Sequence, residues 1–232
     1  MLSNRLRKIA HFLDDPIRMV DIGSDHAYLP IYICQQNLHA RAIAGEVNQG
    51  PFQRAKESVH EAELTHRIDV RHGNGLDVIV AGEVRQVTIA GMGGKLIREI
   101  LEKGKTKLKT IDQLILQPNI DANLLRQWLF DHDYALTDEV IIEEDGYIYE
   151  ILVAHAARSE QPYPDDRFKR EKYFYFGPYL LQASSDVFIR KWKQELEKLC
   201  YIRKQMERAK TKPFDKIQQI DQEIQWIKEV VD

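Results

Sequence analysis

Three acidic residues lie where short apolar runs give way to turns, and they limit the chemistry this chain can support. In MVDIGSDHAYLP, Met19 to Pro30, Asp21 falls inside the apolar run and Asp25 in the turn after it. Glu46 closes a second run, AIAGEVNQ, 25 residues beyond Asp21. An acid at the end of a buried strand must be paired or face a site, because an unpartnered buried charge is costly. Phosphate-binding turns offer glycines and backbone N–H groups at a helix start, and Asp25 would repel the anion such a turn holds. Carboxylates here suit a cation instead.

S-Adenosylmethionine carries an ammonium and a sulfonium and no phosphate, so it is the ligand this turn favours. Glu46 sits where an acid can accept both hydroxyls of a ribose. Ser24 and Asp25 would also serve as helix caps, and His26 as a solvent-facing imidazole. In RHGNGLDVI, Asn74 could read an adenine edge beside Gly75, although Asn-Gly equally suits a plain turn. In TIAGMGGKLI, Gly91, Gly93 and Gly94 imply a sharp twist or a close approach. Met92 lines that floor or fills a packing gap. LQPN adds Gln117 and Asn119, two amides for a neutral base or simple turn residues.

The elements that must position these residues follow from periodicity. Val- and Ile-rich runs at 19–23, 40–47, 68–72, 86–91 and 113–118 alternate with helix-period segments at 30–37, 51–64, 95–108 and 121–132. That alternation predicts βαβ units and a parallel sheet. YALTDEVIIEE and YIYEILVAHA, joined by Asp145-Gly146, predict a terminal antiparallel hairpin. The fold class is therefore α/β, with ligands expected at the carboxyl ends of the first strands. RSEQPYPDD, from Arg158 to Asp166, reads as a linker, giving domains over 1–157 and 158–232. Beyond it, apolar stripes run through Phe188, Trp192, Leu196, Leu199, Arg203 and Met206, and through Ile217, Ile220, Ile224, Ile227 and Val231. With Pro213 between them they predict an antiparallel, coiled-coil helical hairpin.

A chain of 232 residues with 44% apolar and 30% charged residues is globular rather than disordered. No run approaches a membrane span and the N-terminus is too charged for a secretory signal, so a cytoplasmic protein with no membrane contact is expected. Cys34 and Cys200 lack metal spacing, so no metal is expected. Charge is uneven: residues 1–157 hold 17 Lys and Arg against 23 Asp and Glu, whereas 190–212 hold nine against three. The second segment is either a footprint for a polyanion or a solvated helix face.

Taken together and in order, VDIGSDHAYLP, GEVNQGP, GNGLDVI, IAGMGG and LILQPN, with LSNRL near the start, resemble the bacterial tRNA (adenine-N1)-methyltransferase family called TrmK, which modifies adenosine 22. The resemblance implies a class I, Rossmann-like methyltransferase domain with a seven-stranded sheet. It also implies S-adenosylmethionine as donor and a coiled-coil domain that helps engage tRNA. Carried over, Asp21, Gly23 and Asp25 fall in the methionine-binding turn, Glu46 on the ribose, and Asn74 and Gly75 at the adenine. Gly91 to Gly94 replace the Asn/Asp-Pro-Pro-Tyr/Phe motif of many amino-group methyltransferases. Asn74 stands where the family more often has Asp, which removes a charge.

Ser24, His26, Val47 and Ala90 complete the expected cofactor set. Asp25, Gly91, Met92 and Gly93 are expected to position the target base, with no general base, because N1 of neutral adenine already has an in-plane lone pair. Arg5, Arg7, Lys8, Lys95, Arg190, Lys193, Arg203 and Lys204 are the candidate phosphate contacts, with Tyr28, Gln117, Pro118 and Asn119 at the rim. The expected form is a monomer. Two other readings stay open: a methyltransferase acting on another RNA base or a small molecule, and a non-catalytic RNA-binding protein with a vestigial methyltransferase fold.

Overall fold

A computed structural model describes residues 2–156, 160–208 and 213–231. The chain divides into two compact units, one running to Tyr163 and the other from Pro164. The division falls a few residues beyond the boundary that composition suggests. Tyr163, inside the expected linker, is buried with its ring edge-on to Phe130 of the first unit at 5.7 Å. Residues 157–159 of that linker lie outside the described residues.

The first unit contains β1 (Arg18–Ile22), β2 (Arg41–Glu46), β3 (Ile68–His72), β4 (Gln86–Met92), β5 (Gln113–Pro118), β6 (Tyr134–Glu144) and β7 (Tyr147–Ala156). They form one sheet in the order β3-β2-β1-β4-β5-β7-β6. The first five are parallel and the last two antiparallel. Every residue of β5 is buried, as a parallel strand covered on both faces requires. Asp145 and Gly146 both have positive φ, 53° and 80°, the geometry of a tight hairpin turn.

Helices α2 (Tyr28–Gln36), α3 (Gln49–Glu61), α4 (Gly94–Lys103), α5 (Lys105–Leu108) and α6 (Ala122–Asp131) connect the strands, preceded by α1 (Asn4–His11). The single helix expected over 95–108 is interrupted at Gly104, where a Cβ would stand 2.2 Å from Leu76 Cδ1. Sequence periodicity also leaves α1 unassigned. Ser3 caps α1 by accepting the Leu6 N–H at 3.2 Å, and Glu144 Oε2, at the end of β6, accepts that of Arg5 at 3.3 Å. The carboxylate thus fixes the helix N-terminus to the hairpin.

In the second unit, α9 (Asp186–Arg208) and α10 (Phe214–Val231) follow α7 (Arg167–Phe176) and α8 (Pro178–Ala183). Arg203, late in α9, pairs with Asp221, early in α10, at 2.6 Å, so these two arms run antiparallel. The residues joining them, 209–212, lie outside the described residues. The hairpin is not the simple two-helix object expected. Phe176 packs on Trp192 at 4.5 Å between ring centres, and Tyr175 lies between Trp192 and Trp226. An aromatic cluster contributed partly by α7 therefore anchors the two arms.

Candidate active site

The carboxyl ends of the parallel strands bring together Asp21, the turn from Gly23 to Ala27, Glu46, Asn74 and the loop from Gly91 to Gly94. Asp21 is buried and accepts the Ser24 hydroxyl at 2.6 Å. The backbone N–H of Asp25 donates to Glu46 Oε1, and Gly23 N–H to Gly45 O at 2.9 Å, so the turn after β1 is tied to the end of β2. Burial pushes the Asp21 carboxyl up to about 7, and burial likewise raises that of Glu46. Two desolvated carboxylates, neither in an ion pair among the described residues, fit a cationic ligand.

No side chain caps α2, whose N-cap residue Ala27 is in the left-handed region, as is Asp25. Capping therefore does not explain Ser24 or Asp25: Ser24 donates to Asp21 instead, and the Asp25 side chain is exposed. His26 stacks on Tyr28, 5.0 Å between ring centres, at the rim. A Cβ on Gly23 would meet Met92 Cε at 2.2 Å, so Met92 packs directly over the turn. Asn74 and Gly75 line a cleft with Leu96 and Ile100. Tyr28, Val47, Leu96 and Ile120 stand exposed on turns and helix starts at this end, apolar surface that a ligand or RNA would cover.

Gln117 and Asn119, expected to hold a base, are committed to the glycine loop. Gln117 Oε1 accepts the Gly91 N–H at 3.0 Å, and its Nε2 donates to Asn119 Oδ1 at 3.2 Å. Asn119 Nδ2 closes the ring on Gly91 O at 2.9 Å. These amides hold Gly91 at φ 77°, and Gln117 is fully buried, so it offers no edge to a base. Pro118 beside them is also buried.

Arg5, expected on phosphate, reaches the same ring. Its Nη1 donates to Gln117 Oε1, and its guanidinium lies 5.1 Å over the Tyr149 ring of β7. Sequence reasoning missed Tyr149 and Glu144, although both lie in the strand-like runs that flank Asp145-Gly146. Arg7 and Lys8 are exposed on α1, and Lys95 on α4. Arg190, Lys193 and Lys204 lie exposed on α9, and Arg203 is half-buried against Asp221 and Glu207. Replacing Arg5 with Ala should lower the methyl-transfer rate at saturating RNA about tenfold or more, because a misaligned loop costs orientation. Replacement with Lys, which cannot reproduce the planar contact with Tyr149, should restore it only partly; single-turnover kinetics give the comparison.

A Rossmann-like sheet in this order, ending in an antiparallel hairpin and carrying acids where phosphate sites carry glycines, defines a class I methyltransferase domain. The family model for TrmK, tRNA (adenine(22)-N(1))-methyltransferase, matches residues 19–229. The chain belongs to this family. The tRNA (adenine(22)-N(1))-methyltransferase of Bacillus subtilis is 44% identical over 233 residues, covering 100% of this chain and 97% of that protein. The crystal structure of the B. subtilis enzyme superposes with a TM-score of 0.93, covering 100% and 99% of the two chains. A Streptococcus pneumoniae protein solved with S-adenosyl-L-methionine is 40% identical, with a TM-score of 0.87 and full coverage of both chains. TrmK of M. capricolum, solved with S-adenosyl-homocysteine, is 28% identical with a TM-score of 0.85, covering 100% and 98%. Among the described residues no His, Cys, Asp and Glu cluster could hold a metal ion, and no helix is long and apolar enough to cross a membrane.

Proposed function

We propose that this chain transfers the methyl group of S-adenosylmethionine to N1 of adenosine 22 in tRNA, acting as a monomer in the cytoplasm. The observation that carries the reading is the pair of buried carboxylates, Asp21 and Glu46, at the ends of adjacent strands in a member of this family. The bound cofactor supplies an electrophilic methyl group on a sulfonium. Asp21 and the turn from Gly23 to His26 hold its amino acid end, Glu46 and Val47 its ribose, and Asn74, Gly75 and Ala90 its base.

The chain's own task is then alignment. N1 of neutral adenine needs no proton removed, and holding its lone pair in line can supply roughly 7–11 kcal/mol. Gly91, Met92 and Gly93, fixed by the Gln117–Asn119 ring, form the platform for that base. Asp25, exposed at the mouth, offsets positive charge developing on the methylated ring. Because N1 lies on the Watson–Crick edge, the nucleotide must be turned out of its stack, at a cost of a few kcal/mol. Incubation with labelled cofactor and a tRNA transcript, followed by nuclease digestion and mass spectrometry, should place the label on N1 of adenosine 22. Label on N6, or none, would refute the assignment.

Exposed Arg190, Lys193 and Lys204 on α9 supply phosphate contacts. Phosphate contacts position RNA without choosing the base. Changing Lys193 and Lys204 together to Glu should weaken tRNA binding and reduce its log–log salt slope by about 2, leaving cofactor affinity unchanged. Filter binding at several salt concentrations measures both.

A further inference from the structure

At the end of the sheet opposite the cofactor turn, the strands begin with arginines. Arg18 opens β1 and Arg41 opens β2, directly in register. Arg67 immediately precedes β3, and its carbonyl accepts the Ala42 N–H at 3.0 Å. Adjacent strands are about 4.8 Å apart, so three guanidinium-bearing residues stand side by side across three strands.

Their neighbours show what compensation looks like here. Arg85, at the foot of β4, pairs with Asp112 at 2.5 Å, and Arg71 is held by Asp69 at 2.7 Å and Glu83 at 2.6 Å. Arg18, Arg41 and Arg67 form no ion pair among the described residues. Arg67 Nη1 donates to Asn37 O at 3.0 Å, and Arg41 Nη1 makes a longer contact of 3.4 Å with Ala40 O. Most of their N–H donors are unspent. Like charges on neighbouring strands repel even in water, and this part of the chain has carboxylates in excess that are not recruited to them.

The three arginines line one cleft of about 290 Å³. Thr65 and His66 also line it, as do Arg71 and the two carboxylates it neutralises, Asp69 and Glu83, while the apolar residues beneath, Met19, Ile43, Ile68 and Val84, are buried. Ligand pockets start at roughly 300 Å³, so the cleft suits one small charged group rather than anything larger. Guanidinium forks match the several acceptor oxygens of a phosphate. We propose that this cleft is a phosphate site, binding the phosphate of a nucleotide on Arg18, Arg41 and Arg67. The nucleotide is either one unit of an RNA strand or a free nucleotide.

The test uses the full chain saturated with S-adenosylhomocysteine and titrated with uridine monophosphate, inorganic phosphate and a tRNA transcript. Uridine monophosphate and inorganic phosphate should both bind saturably. Arg18→Gln with Arg41→Gln should weaken this binding tenfold or more, and Arg41→Gln alone several-fold should the double variant misfold. Arg85→Gln, on the same face but paired, should leave it unchanged. If the double variant also lowers tRNA affinity and its salt slope, the nucleotide belongs to RNA; if tRNA binding is unaltered, it is a free nucleotide. Absence of saturable binding by both small probes, or binding that Arg18→Gln and Arg41→Gln leave intact, overturns the proposal.

Discussion

Changing Asp21 to Asn should reduce affinity for S-adenosylmethionine on the order of 100-fold at pH 8, because removing one member of a desolvated charge pair costs about 2–5 kcal/mol. The pH dependence identifies the cause. The wild-type carboxyl, pushed up to about 7 by burial, is charged above that pH and neutral below it. Cofactor affinity should therefore be level above pH 7 and fall by up to tenfold per unit below it, as protons compete with the cation. The amide of the variant cannot titrate, so its curve should lose that step.

Stability of the free protein should move the other way. Because the folded state binds the Asp21 proton more tightly than the unfolded state, this group's contribution is full below about pH 4. It is lost as pH rises through about 7, by up to roughly 4 kcal/mol. Asp21→Asn should accordingly raise the melting temperature of the cofactor-free protein at pH 8 while abolishing tight binding. Calorimetric titration and thermal melts over pH 5–9 check both. A variant that binds as tightly as the wild type, with the same pH profile, would remove Asp21 from the site.

Arg126→Ala should be the most damaging single change to the fold. Arg126 on α6 is fully buried, with Nε 2.6 Å from Glu139 of β6 and Nη2 2.6 Å from Glu150 of β7. Its loss leaves two buried carboxylates facing each other, at a cost of about 3–5 kcal/mol. The melting temperature should drop by on the order of 10 °C. Replacing all three together with apolar residues of similar volume should be much milder, since desolvation of the whole triad is then avoided. Glu150 neighbours Tyr149, and alternate residues of a strand face opposite sides of a sheet. The triad thus braces the strand whose other face carries the Arg5 contact, and a partial variant such as Arg126→Lys should slow methyl transfer as well as lower stability.

Much of the site could be read from the chain because the relevant rules are local. Alternating strand and helix periods put five parallel strands in place, and Asp145-Gly146 marked the hairpin, since both signals depend on residues a few positions apart. Asp25 in the turn after β1 favoured a cationic ligand, because a carboxylate there would repel the phosphate that such turns hold, whereas Glu46 indicated a ribose. The family pattern supplied the rest of the function.

Gln117 and Asn119 read as base-binding amides or simple turn residues, and their amides brace Gly91, 26 and 28 residues away. Arg5 read as a phosphate contact and lies on Gln117, 112 residues distant. Arg203 fell in an apolar stripe and closes an ion pair with Asp221 across two helices. The arginine row exists only because parallel pairing places Arg18 beside Arg41. The strands of the sheet, and the preference for a cationic ligand, were thus legible residue by residue along the chain, since backbone preference and desolvation act locally. Which polar groups remain free to act was settled only on folding, because each side chain has few hydrogen bonds to give and register across distant segments spends them first.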